Sequence, residues 1–300
     1  MRLAAVSDIH VRPDGSDAGL LRELKTRIEE LGPDALVVAG DISSHLTVLR
    51  ETLSALAMGI PCLYVAGNHD IWFEKETNQG SLEKYSRLIG EACRQTGWTH
   101  LPDGSYVMGD VAFIGSIGWS DYSFRREELG IPLRNYEMKE YRGSTWFDLF
   151  QVDWDFTDVE ATNLFNRKIA YDLSTLPRHV KHVVYVSHHL PFRELTLYKD
   201  RLPWDFFSAY MGARSTGELL RQDKRVILTI SGHSHIRNVV RLNGITAVSV
   251  PVGYGRPEEA GLAEFARKAV ACIDIDGSEV KLLDFVRGDI CEGLPYGVSD

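Results

Sequence analysis

Short, wholly apolar runs recur along the chain, and each ends in a polar cluster. Leu3 to Val6 leads into Ser7-Asp8-Ile9-His10. Ala35-Leu36-Val37-Val38-Ala39 leads into Gly40-Asp41. Cys62-Leu63-Tyr64-Val65 leads, after Ala66, into Gly67-Asn68-His69-Asp70. Such runs predict strands buried on both faces. Between them the spacing turns helical. Leu20, Leu21, Leu24, Ile28 and Leu31 predict a helix over 18–31, stopped by Gly32-Pro33. A second helix is expected from Leu46 to Met58, capped by Ser43 or Ser44, and a third from Ser81 to about Gln95, closed by Gly97. Strand, loop and helix in succession imply parallel neighbours joined by helical crossovers. The polar clusters then fall at the carboxyl ends of strands, where open α/β sheets place their sites.

Beyond residue 100 the pattern changes. Ser105–Met108 and Val111–Ser116 read as a hairpin around Gly109-Asp110. The stretch from Trp119 to Phe156 is irregular and holds ten of the thirty aromatic residues, which suggests a cover over one end of the sheets or a lid that shapes substrate choice. Thr157-x-x-Glu160 is a capping box opening a helix through about Leu173. Val183–Ser187 and Val226–Ile230 are two more buried strands, followed by His188-His189 and by Ser231-Gly232-His233-Ser234-His235. Val239–Leu242 with Ile245–Val250, and Ala269–Ile275 with Val280–Phe285, read as hairpins around Asn243-Gly244 and Asp276-Gly277. Early parallel units and late hairpins predict an α/β fold of two mixed sheets packed together and flanked by helices. With no repeat, low-complexity tract or linker, one domain is expected over 1–300, with an aromatic-rich insert or cap at about 119–180.

Composition narrows the class. A net charge of −9 argues against broad nucleic-acid binding, which calls for a basic face. The four cysteines are widely spaced with no CxxC, so a reducing compartment is expected, with Cys62 and Cys272 as buried thiols. Met1 leads almost directly into Leu3-Ala4-Ala5-Val6, too short for a signal sequence, and no apolar run approaches a membrane span. A cytoplasmic protein with no membrane partner is the simplest expectation.

Five strand ends carry metal-binding or proton-moving groups. Asp8 and His10 stand at i and i+2, as do His233 and His235; on extended backbone both members of a pair point the same way and reach one ion. Asn is a hard oxygen ligand, His binds metal or moves protons, and Asp orients a neighbouring His. One Asp-x-His pair is more often a solvated turn. Five such clusters, at the ends of five apolar strands, are not accounted for by turns and caps.

The motifs Asp8-x-His10, Gly40-Asp41, Gly67-Asn68-His69-Asp70, His188 and Gly232-His233-x-His235 resemble those of the calcineurin-like metallophosphoesterase superfamily, in the same order, from residue 8 to 235. The resemblance implies a four-layer αββα sandwich and two divalent transition-metal ions. One ion would be held by Asp8, His10 and His235, the other by Asn68, His188 and His233, with Asp41 bridging both. Such ligands suit Mn, Fe, Zn, Co or Ni better than Ca. By the same resemblance, His69 protonates the leaving group or stabilises the transition state; Asp70 is placed either to orient His69 or to stabilise the turn. A ligand directly after an apolar strand favours His188 over His189, which is left to bond the backbone or face the pocket. The second motif departs from the family in Gly40-Asp41-Ile42-Ser43-Ser44-His45, so His45 is expected at the helix start rather than in the pocket.

The implied activity is hydrolysis of a small phosphodiester or phosphomonoester by a two-metal-activated hydroxide. Two divalent ions against Asp8 and Asp41 leave local positive charge for an anionic substrate, although the whole chain is acidic. Two other readings share these motifs. A DNA nuclease would need a basic face, and runs of Lys or Arg are absent here. A non-catalytic interaction protein should have lost ligands, and none of the expected positions is substituted. Arg12 is read either as a phosphate contact or as a solvated loop residue, and Tyr254, between Gly253 and Gly255, as a possible border of the site.

Overall fold

The computed structural model describes residues 1–295. In chain order its strands are β1 (Arg2–Val6), β2 (Ala35–Ala39), β3 (Cys62–Val65), β4 (Thr99–His100), β5 (Tyr106–Met108), β6 (Val111–Ser116), β7 (Glu140–Tyr141), β8 (Ser144–Thr145), β9 (His182–Ser187), β10 (Val226–Ser231), β11 (Asn238–Leu242), β12 (Ile245–Ser249), β13 (Ala271–Asp276) and β14 (Glu279–Asp284). The helices are α1 (Ala18–Leu31), α2 (Leu46–Leu56), α3 (Ser81–Glu83), α4 (Ile89–Thr96), α5 (Leu133–Glu137), α6 (Asp148–Gln151), α7 (Asp158–Thr175), α8 (Trp204–Phe207), α9 (Arg214–Gln222) and α10 (Leu262–Ala269). A π-helical turn over Lys84–Leu88 joins α3 to α4.

Two six-stranded mixed sheets carry the fold, in the orders β14-β13-β1-β2-β3-β4 and β11-β12-β10-β9-β6-β5. In the first, β1 to β4 are parallel and β13 runs antiparallel to β1. In the second, β12, β10, β9 and β6 are parallel, and β11 and β5 are antiparallel edges. The period of two along each buried strand sorts its side chains between layers. Leu3, Ala5, Val37 and Val65 face Val184, Val186, Ile230 and Val248 in a core between the sheets. Ala4, Val6, Leu36 and Val38 point the other way, onto α1, α2, α4 and α10. Ile114, Val183, Tyr185 and Ala247 pack on the far side against α7 and α9. These four layers are the αββα sandwich expected from the sequence.

Helix α7 opens on the capping box: the Thr157 side chain accepts from the Glu160 backbone N–H, and the Glu160 carboxylate accepts from the Thr157 N–H. Besides the short α5, α6 and α8, two longer helices are not predicted by the sequence pattern. In α9 only Thr216, Gly217 and Leu220 are buried, too few large apolar residues to draw a stripe. The stripe of α10 (Leu262, Phe265, Ala266, Ala269) runs into β13 with no stop signal between them. Residues 119–156 hold short helices and the β7–β8 ribbon. Tyr122, Ile131 and Tyr136 from this stretch pack with Phe206, Ala209 and Tyr210 in a separate aromatic cluster. All four cysteines are buried and unpaired. Among the described residues no helix is long and apolar enough to cross a membrane.

Candidate metal centre and its cavity

The carboxyl ends of β1, β2, β3, β9 and β10 meet where the two sheets adjoin, and the loops that leave them are tied to one another. Asp8 N–H donates to the Gly40 carbonyl and His10 N–H to the Asp41 carbonyl. Gly232 N–H donates to the His188 carbonyl, and His233 N–H to both Asp8 carboxylate oxygens at 3.0 Å. The sequence pattern had Asp8 with His10, and His233 with His235, on extended backbone. The structure differs. Asp8, His10, Asp41, His233 and His235 all adopt positive φ, between 48° and 68°. Left-handed backbone is rarely populated by residues other than glycine and persists where surrounding contacts over-determine it. The pairs converge because each loop is bent inward and pinned, not because side chains alternate.

The motif glycines are required by close approach. A Cβ on Gly67 would lie 2.6 Å from the Asp41 backbone nitrogen and collide with its carboxylate, and a Cβ on Gly232 would collide with the Asp8 carboxylate.

Seven side chains form two sets of donor atoms. In the first, His235 Nε2 lies 3.3 Å from both His10 Nε2 and Asp8 Oδ1, with His10 Nε2 4.0 Å from Asp8 Oδ1. In the second, His188 Nε2 lies 3.1 Å from Asn68 Oδ1 and 3.2 Å from His233 Nδ1. Asp41 Oδ2 stands between them, 3.7 Å from His10 Nε2 and 3.2 Å from His188 Nε2. Two ligands on one ion at bond lengths near 2.1 Å sit from about 3 Å apart when adjacent to about 4.2 Å when opposite, so both sets fit a transition-metal ion. Burial holds His10 and His233 well below the usual imidazole range, and lowers His235, which leaves lone pairs free to coordinate. Burial also raises the Asp8 carboxyl. For His188 burial acts downward, but the Asp41 and Asp8 carboxylates outweigh it and push the group up to about 10. The field at this point calls for positive charge, and a divalent cation is the natural source.

Of the adjacent histidines, His188 points its Nε2 at the centre. His189 turns its Nδ1 to the Ile117 carbonyl at 3.4 Å and packs its ring 4.0 Å from that of His233. His69 stacks on Trp72 at 3.7 Å and places Nε2 3.0 Å from the Tyr254 hydroxyl. Burial pulls this imidazole down to about 4.

Asp70 does not orient His69. Its carboxylate accepts from the backbone N–H groups of Asp41, Ile42, Ser43 and Gly67 and from the Tyr64 hydroxyl, all within 3.0 Å. A buried carboxylate takes the nearest orphan donors, and here three of the five belong to the turn carrying Asp41. Arg12 is half-buried rather than free in solvent: it forks onto Asp17 through Nε and Nη2 at 2.9 and 2.8 Å. His45 stands at the start of α2 as expected, but it, rather than Ser43 or Ser44, is the N-cap residue, and it also lines the cavity, with Nδ1 3.6 Å from Glu74. Tyr254 does border the centre, its ring 4.1 Å from that of His10.

Three positioning residues escaped the sequence reading. Asp148 Oδ1 accepts from Asn68 Nδ2 (2.9 Å) and Trp72 Nε1 (2.7 Å), and its Oδ2 accepts from Trp146 Nε1 (2.8 Å). This fixes the Asn68 amide with Oδ1 toward His188. A lone carboxylate in Trp146-Phe147-Asp148 was the available signal. Arg256 is buried, pairs with Asp17 at 2.8 Å and donates to the carbonyls of Ile9, His10, Gly253 and Gly255, joining the His10 loop to the Tyr254 loop. Glu74 accepts from Leu46 N–H at the start of α2. The centre opens into a cavity of about 1190 Å³ whose walls come from both the 145–151 and the 196–211 stretches.

The family model for calcineurin-like phosphoesterases matches residues 1–237. Uncharacterized protein L509 of Acanthamoeba polyphaga mimivirus is 22% identical over 202 residues, covering 64% of this chain and 67% of that protein. The phosphopantetheinyl hydrolase of Mycobacterium tuberculosis aligns with a TM-score of 0.65 at 21% identity, over 86% of this chain and 90% of its own. A dimetal phosphatase from Danio rerio aligns with a TM-score of 0.53 at 15% identity, over 95% and 99%. At these identities the two structures show a shared fold. With the family model matched over most of its length, this chain belongs to the calcineurin-like phosphoesterases, a family of metal-dependent phosphoesterases.

Proposed function

We propose that the chain hydrolyses a small phosphodiester or phosphomonoester at the centre between its sheets. The observation that carries this reading is the position of Asp41, whose Oδ2 stands between two donor sets each suited to one ion. Asp8, His10 and His235 would hold one ion, Asn68, His188 and His233 the other, and Asp41 both. When bound, two divalent ions lower the pKa of a water and neutralise phosphoryl charge.

The chain's own residues do the rest. Asp148 keeps the Asn68 amide oxygen turned inward. Asp70 and Arg256 hold the loops of Asp41 and His10. Burial pushes the Tyr254 phenol well above its ordinary pKa, so it stays protonated. One proton therefore lies between Tyr254 Oη and His69 Nε2, 3.0 Å apart at the cavity edge, and on this reading it passes to the leaving oxygen.

The test is metal content and turnover together. Purified protein should carry two transition-metal ions per chain and cleave bis-p-nitrophenyl phosphate or p-nitrophenyl phosphate. Asp41→Asn should lose metal and at least a thousandfold in kcat/KM. A chain that binds no transition metal and cleaves neither ester overturns the proposal, and salt-dependent cleavage of DNA by the same preparation would favour a nuclease instead.

A further inference from the structure

The cavity next to the centre has a chemistry of its own. Its aromatic walls start at the edges of the donor sets. Trp72 stacks on His69, and Phe147 continues that wall 5.8 Å from Trp72. On the other side Trp146 meets His233 edge-on at 5.7 Å, and Phe207 continues from Trp146 at 5.7 Å. The indole N–H groups of Trp72 and Trp146 both donate to Asp148, so the two rings are fixed relative to each other before any ligand arrives. Phe147 faces the cavity with its side of the wall open: the residue is 54% exposed.

The charges point the same way. The acids on the lining are Asp41, Glu74, Glu76, Asp148 and Asp289, and among the described lining residues Lys75 is the one Lys or Arg. Asp148 is buried and held by Asn68 and two indole donors, so its charge does not swing aside, whereas Glu74, also buried, is paired with Lys84 Nζ at 3.9 Å and adds little to the field. Beyond the ion pair, the cavity offers an anion almost nothing. A second phosphate or a carboxylate on the substrate would meet fixed negative charge. A planar apolar group would meet preorganised aromatic faces.

We infer that the substrate is a phosphodiester with a single phosphate, whose arm is aromatic and carries no further negative charge. The inference rests on the phosphoesterase reading above and deepens it. The single phosphate sits at the ions, and the arm lies along Trp72 and Phe147.

The test uses the metal-loaded protein and three diesters sharing one leaving group: ethyl, 2-phenylethyl and 3-carboxypropyl p-nitrophenyl phosphate. The phenylethyl ester should exceed the ethyl ester by about tenfold in kcat/KM, since stacking on one aromatic side chain is of that order. The carboxypropyl ester should fall at least fivefold below the ethyl ester. Phe147→Ser, at an exposed position and checked for an unchanged circular dichroism spectrum, should bring the phenylethyl and ethyl values within about threefold of each other. Glu76→Lys should remove most of the carboxylate penalty. Three equal kcat/KM values in an active enzyme overturn the inference and leave the phosphoesterase reading standing. No turnover of any diester by protein carrying two ions per chain overturns the inference, and if p-nitrophenyl phosphate is not cleaved either, the phosphoesterase reading falls with it.

Discussion

Asp148 lies outside every motif, yet its removal should cripple one donor set. Its carboxylate, 3% exposed, accepts three N–H bonds, one from Asn68 and two from indoles. In Asp148→Ala these donors lose a charged acceptor, each bond being worth roughly 1.5–3 kcal/mol. Both indoles border the open cavity and would regain water, so the net loss of stability should be about 2–4 kcal/mol. The Asn68 amide would also lose the bond that sets its orientation, leaving either Oδ1 or Nδ2 free to face His188. Removing such an orienting partner typically weakens metal binding about 10–100-fold, equivalent to about 1.4–2.7 kcal/mol. Titration of manganese into metal-free protein by isothermal calorimetry should show one binding step weakened by that factor. The step involving Asp8, His10 and His235 should change little. Asp148→Asn refines the argument: its one carbonyl oxygen can still accept from Asn68 and Trp72, while its NH₂ would face the Trp146 N–H, so metal affinity should fall less than tenfold. Equal affinities in wild type and Asp148→Ala, within a factor of two, would refute the assignment of Asp148 as the residue that orients Asn68.

Other variants probe the same centre. Tyr254→Phe removes the hydroxyl 3.0 Å from His69 Nε2 and should lower kcat about tenfold for esters with poor leaving groups, with less effect on p-nitrophenyl esters; equal losses for both would speak against a role in proton delivery. Gly67→Ala would drive a Cβ into the Asp41 turn, so the protein should be recovered with less than half its metal or fail to fold, as elemental analysis and solubility would show. Metal-free protein should lose stability on the alkaline side. Because His188 is raised to about 10 in the fold against about 6.5 in an unfolded chain, its contribution is fully present below pH 6.5 and is lost as the pH climbs towards 10. Calorimetric Tm values falling across that window for the metal-free protein, and much less for the manganese-loaded protein, are the expected result; a flat metal-free profile would contradict it.

The layered fold was legible in the chain because its cause is local. A run such as Leu36-Val37-Val38 is apolar on both faces only if both faces are buried, and Gly32-Pro33 can do little but end a helix. Weakly patterned elements were not legible: α9 buries mainly small residues against α7, and the stripe of α10 has no stop before β13. Asp8, His10, Asp41, Asn68, His69, His188, His233 and His235 could be picked out as candidates because polar groups at the ends of buried strands stand out against what precedes them.

What each of those residues does was a different matter. Asp70 next to His69 in sequence looks like its partner, but three N–H groups of the Asp41 turn, that of Gly67 and the Tyr64 hydroxyl reach its carboxylate instead. Asp148 is separated from Asn68 by 80 residues and touches it directly. By itself the sequence determined the sandwich and the cast of donor atoms, since burial and backbone freedom are written residue by residue. Only the tertiary structure decided which donors face one another, which carboxylate orients which side chain, and the walls of the cavity. Those depend on contacts between segments distant along the chain, and no local pattern encodes them.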